Sequence, residues 1–128
     1  MNATEPKKPG SYRDLIVWQK AMALATLLYR LTQRFPSEEK FGLTSQMRRA
    51  AVSVPSNIAE GQARRGAREF IQFIAQAEGS LAERDTPLTL ATDLGFAELP
   101  QAQEAAALIE ELRRMLNALR RKLETPRS

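Results

Sequence analysis

Cysteine and histidine are both absent from this chain of 128 residues, and each absence removes a class of chemistry. Without cysteine there is no disulfide, no thiol nucleophile and no thiolate metal site, which fits a reducing compartment. Without histidine there is no imidazole general base, no Ser-His or Cys-His pair and no Glu-x-x-His metal motif. Aromatic residues are scarce at 6%, and none is interleaved with the arginine clusters as base-stacking modules require. Long apolar runs are missing too: Leu15 to Trp18 is too short to cross a bilayer. The opening MNATEPKKPG is polar and carries two prolines, so it lacks the apolar centre of a secretory signal. The expectation is a soluble cytoplasmic protein with no metal, no cofactor and no membrane partner.

What is present has the size of one domain, large enough to bury a core without a covalent staple. A net charge of +4 and a pI near 9.9 permit attraction to polyanions without demanding it. Residues 1–10 read as a loose basic arm, 11–123 as a single folded domain and 124–128 as a frayed tail. Ser11-Tyr12-Arg13-Asp14 has the form of a capping box, with the serine oxygen accepting from the Asp14 amide. A first helix is predicted from Tyr12 to about Arg34. Leu15, Trp18, Met22, Ala25 and Tyr29 recur at the steps of a packed helical face. Val17, Leu24, Leu28 and Leu31 form a second stripe, which implies a second partner surface, such as another subunit.

Phe35-Pro36-Ser37 ends that helix. Thr44 is the expected N-cap of a second helix running through Met47, Ala51, Val54 and Ile58 and stopping at Gly61. Pro55 lies inside it and predicts a bend, with Ser53, Ser56 or water satisfying the freed carbonyl. A third helix starts near Ala67 and presents Phe70, Ile74, Ala77, Leu81 and Leu88. Its Gly79-Ser80 pair would admit a neighbouring backbone, and Pro87 predicts a kink at Arg84 to Thr86 rather than a division. Leu94-Gly95-Phe96 closes it. The fourth helix opens at Glu98-Leu99-Pro100, with Leu108, Leu112, Met115, Leu119 and Leu123 as its main stripe and Ile109 and Leu116 widening it. Four long helices with short connections predict an all-α, up-down-up-down antiparallel four-helix bundle.

The block Ser53-Val54-Pro55-Ser56-Asn57-Ile58-Ala59-Glu60-Gly61 resembles the signature of the four helix bundle protein family, whose founding members are encoded in intervening sequences of bacterial 23S ribosomal RNA genes. Phe41-Gly42-Leu43-Thr44-Ser45-Gln46 and Gly79-Ser80-Leu81 also match, and the resemblance extends from Tyr12 to about Leu119. Relatives read E-L-x-T-x-L where Glu83 to Leu88 stand, so Arg84 and Pro87 depart from the pattern. The resemblance implies a homopentameric ring of bundles. It also implies kinship with an accessory subunit of the reverse transcriptase of diversity-generating retroelements.

Glu60, Glu78 and Glu83 are candidates for a converging carboxylate site, but without histidine the better expectation is that they pair with arginines. Ser53, Ser56, Ser80 and Thr86 have no base to activate them, so they read as structural, and Asn57 as a polar residue satisfied by a neighbour. No catalytic or metal-binding residue is assigned. The arginines are the sharper signal. Arg48, Arg49, Arg64, Arg65 and Arg68 stand against Glu60 alone between Thr44 and Arg68, whereas the segment from Glu69 to Glu104 is acidic. Repeated around a ring, such clusters suit a phosphate backbone. The competing expectation is that they pair with an acidic neighbour and set register. A non-catalytic, oligomeric protein associated with RNA or DNA is therefore expected first. An interaction scaffold or accessory subunit for a protein partner is the alternative.

Overall fold

A computed structural model describes residues 11–64 and 66–125; the arm at residues 1–10, Arg65 and residues 126–128 lie outside the described residues. Five α-helices make up the described chain, with no strand among those residues: α1 (Ile16–Thr32), α2 (Leu43–Ala63), α3 (Ala67–Ala82), α4 (Asp85–Asp93) and α5 (Leu99–Glu124). Single 3-10 turns at Tyr12–Asp14 and Ser37–Glu39 precede α1 and α2. α3 and α4 act as one leg, so the architecture is a four-helix bundle. Cross-helix pairs fix the directions. The Ser53 and Ser80 hydroxyls meet at 2.7 Å while Gly61 faces Phe70 and Phe73, which sets α2 and α3 antiparallel. Lys20 pairs with Glu111 and Arg34 with Glu98, which sets α1 and α5 in opposite senses, while Arg48 ties α2 to Thr32 and Tyr29 and Arg120 ties α5 to Glu78.

The core is a seam of Leu24, Leu28, Met47, Val54, Ile58, Ile74, Leu81, Leu112 and Leu116, each with 2% exposure or less. Val17 and Leu31 extend it at either end of α1. The stripe Val17, Leu24, Leu28 and Leu31, expected to face a second copy, is therefore spent inside one chain. The outward stripe is the other one: Met22 is 41% and Tyr29 39% exposed, with Trp18 half-buried. Both stripes recur at three- and four-residue steps, so spacing alone does not tell them apart. Shape decides: Val, Ala and Leu let helices approach to the usual ~8–10 Å, whereas Trp and Tyr are bulky and keep a polar tip in water.

Local chemistry sets the helix ends, sometimes differently from expectation. Ser11 Oγ accepts from the Arg13 amide at 3.2 Å, while the Asp14 amide goes to the Ser11 carbonyl. Leu15 is extended (φ −75, ψ 125), so α1 starts only at Ile16. Thr44 does not cap α2. Gly42 holds that position, and a Glu39 oxygen accepts from the Leu43 amide at 3.2 Å instead. α2 runs uninterrupted through Pro55, and the Ser53 hydroxyl is engaged by Ser80 and Asn57. Gly61 is no stop either; the helix continues to Ala63. Its role is close approach, since a Cβ there would stand 2.7 Å from Phe70 and 2.8 Å from Phe73. Gly79, expected to be such a place, is exposed and faces open space.

The expected kink near Pro87 is a division. The Arg84 amide donates to Leu81, three residues back, and the ladder restarts with Leu88 donating to Arg84. Pro87 then sits in the first turn of α4, where a missing amide leaves no helical bond unmade. α4 closes with Gly95 at φ +79, the Phe96 amide donating to Ala91 and the Gly95 amide to Thr92, the two bonds of a Schellman motif. On α5 the buried line is Ala105, Ile109, Leu112 and Leu116; Leu108, Met115, Leu119 and Leu123 flank it, a small rotation from the expected stripe. Glu124, assigned to the tail, is the last helical residue.

Candidate nucleic-acid interface

Because α2 crosses the bundle from end to end, it separates the arginines on it. Arg48 and Arg49 stand beside the α1–α2 connection, and Arg64 stands at the far end with Arg68, in the first turn of α3. Arg65 lies outside the described residues; the other four stand as two pairs at opposite ends of α2 and do not close into one patch. Arg64 is partly neutralised by Glu60 at 2.9 Å, and its guanidinium lies 5.2 Å from the centre of the Phe73 ring. Arg68 and Arg49 are exposed, with no ion-pair partner among the described residues. Arg48 is held in place: its Nε donates to Thr32 Oγ1 at 2.8 Å, and its plane lies 4.7 Å from the Tyr29 ring centre. Cross-helix pairing with acidic helices falls to other cations, namely Lys20 with Glu111, Arg34 with Glu98 and Arg120 with Glu78.

The aromatic residues that looked remote from the arginines in the sequence are adjacent in space. Tyr29, Lys40, Phe41, Arg48 and Arg49 line a pocket of about 550 Å³. Phe41 is 90% exposed, with the Lys40 ammonium 5.6 Å from its ring centre. Tyr29 and Val52 are shared with a second, apolar groove of about 520 Å³ along the outer face of α1 and α2, where Trp18, Met22 and Pro55 form the walls. Apolar groove and cationic pocket thus adjoin at Tyr29 and Val52. A third depression, about 330 Å³, lies on α5 between Arg113, Arg114 and Arg121. There Arg113 hydrogen-bonds Glu110 and holds its carboxyl below the usual carboxylate range.

Of the residues weighed for chemistry, Glu60, Glu78, Ser53, Ser80 and Asn57 have structural partners, while Ser56, Glu83 and Thr86 are exposed. Glu60 pairs with Arg64 and Glu78 with Arg120, so the two carboxylates serve separate arginines. Ser53 and Ser80 bond each other, and Asn57 Nδ2 donates to the Ser53 carbonyl at 2.8 Å. One residue escaped sequence reasoning: Arg84 is wholly buried at the α3–α4 junction. Its side chain donates to the Ser80 carbonyl at 2.5 Å, which the break has deprived of the Arg84 amide. A second, longer bond of 3.5 Å reaches the Met47 carbonyl, and Nε has no partner among the described residues. Burial pushes the guanidinium down to about 10, against the pull of Glu83 and Asp85, and it is still a cation at neutral pH. The signal was present: Arg84 departs from the leucine that the resemblance implies at its place, between buried Leu81 and Leu88.

Residues 13–118 match the model of a family described as 23S rRNA-intervening sequence protein. Comparison with curated proteins finds no match.

Proposed function

Because the chain belongs to the 23S rRNA-intervening sequence protein family, we propose that it acts as a non-catalytic, homo-oligomeric helical bundle of that type, associating with nucleic acid in the cytoplasm through its basic clusters. The outer face of α1 and α2 carries this reading, because its apolar groove shares Tyr29 and Val52 with a pocket bearing Lys40, Arg48 and Arg49. An apolar groove flanked by Met22, Tyr29 and Val52, each more than a third exposed, suits contact with a second copy. Copies joined along it would repeat each basic cluster around the assembly, and many weak phosphate contacts would add. The same groove favours a second reading, a scaffold that seats a different protein.

Sedimentation velocity separates the two. The homo-oligomer predicts a species well above the 14.3 kDa monomer, returned to monomer by Met22→Glu. A wild-type chain that stays monomeric at every concentration refutes self-assembly and leaves the scaffold. Binding to structured RNA is expected to fall by roughly 10³- to 10⁵-fold between 50 and 200 mM salt if six to ten phosphates are contacted across the assembly. Changing Arg64, Arg65 and Arg68 to alanine should flatten that dependence.

A further inference from the structure

Phe41 is the most exposed of the large apolar side chains among the described residues, at 90%, yet its backbone is not loose. The Glu39 amide donates to Pro36, Lys40 to Ser37 and Gly42 to Glu39, so the ring is carried on a hydrogen-bonded turn packed before α2. Three cations stand around the pocket beside it. Arg48 is fixed by Thr32 and the Tyr29 carbonyl, while Lys40 and Arg49 have no carboxylate partner among the described residues. Glu39, the acid next to Lys40, is committed to the Leu43 amide, and Glu38 is not among the lining residues. The pocket is therefore a presented aromatic face with a positive rim.

We propose that this pocket binds single-stranded nucleic acid, an unpaired base stacking on Phe41 while Lys40 and Arg49 take the flanking phosphates. It rests on the nucleic-acid reading above and names the class of strand. A duplex hides its base faces within the stack, so a protruding ring gains nothing from it; an unstacked base offers a π face of any sequence. An acidic peptide would satisfy the cations but leave the Phe41 face in water. The pocket of about 550 Å³ has room for a base and its sugar-phosphate link.

The test is fluorescence anisotropy with labelled oligo(dT) of about 12 nucleotides, within the span that such grooves cover, and a duplex of equal length. Wild type should prefer the single strand. Phe41→Ala should weaken that binding by roughly 5- to 150-fold, the loss of one stacked base, and leave duplex binding unchanged. Phe41→Trp should retain the affinity, and Arg49→Ala should lower its salt dependence. With the ring so exposed, both Phe41 variants should melt like wild type, so a loss of binding is not a loss of fold. Wild-type binding that Phe41→Ala leaves intact overturns the stacking site alone. Absence of any salt-sensitive binding by wild type overturns the nucleic-acid reading with it. If Phe41→Ala instead shifts the sedimentation coefficient, the ring belongs to a subunit contact and the stacking site falls.

Discussion

Arg84→Leu should make this protein more stable, although Arg84 is among its most buried side chains. The guanidinium's pKa lies at about 10 against an ordinary 12.5, and at about 1.36 kcal/mol per unit holding the charge at neutral pH costs about 3 kcal/mol. Against this stands the bond to the Ser80 carbonyl at 2.5 Å; stranding a buried acceptor costs about 1–3 kcal/mol. Leucine fills much of the same volume and packs between Leu81 and Leu88. The balance is a gain of about 1 kcal/mol, or roughly 4 °C in Tm for a chain this size. Arg84→Ala removes the same charge but opens a cavity, a cost of about 2–5 kcal/mol, and should lower Tm. Below pH 10 the guanidinium is charged in both folded and unfolded states, so the advantage of Arg84→Leu should be constant from pH 6 to 9. Only above pH 10, where the folded state sheds its proton first, should the Arg84 guanidinium make wild-type stability rise with pH. Thermal melts followed by circular dichroism decide the matter. If Arg84→Leu lowers Tm by several degrees, the side chain is holding the α3–α4 junction together and the reasoning from desolvation is wrong.

Two further substitutions probe the packing. Leu28→Ala should cost about 2–5 kcal/mol, whereas Met22→Ala on the outward stripe should cost under about 0.5 kcal/mol in the monomer; equal losses in chemical denaturation would mean that the assignment of the two faces is wrong. Gly61→Ala gains about 1 kcal/mol of helix propensity but drives a methyl group to within 2.8 Å of Phe70 and Phe73, an overpacking cost of about 1–3 kcal/mol. A lower urea midpoint is expected, and a higher one would refute the close contact.

The apolar steps of α1, the punctuation by Pro36 and Gly95, and the start of α3 at Ala67 are all local properties of the chain, and they specify the helical legs without reference to tertiary structure. Local steric and hydrogen-bonding rules suffice for that. They also separate Arg48 and Arg49 from Arg64 and Arg68, since the rest of α2, as far as Ala63, lies between them. Which of two equally spaced stripes faces inward is a different kind of question. It depends on how closely neighbouring helices can approach, and only packing against α2 and α5 turned Leu24 and Leu28 inward and left Met22 and Tyr29 outside. Long-range contact likewise made Gly61 a packing point and Arg84 a buried cation. It also brought Phe41 and Tyr29 among arginines from which the linear order keeps them apart.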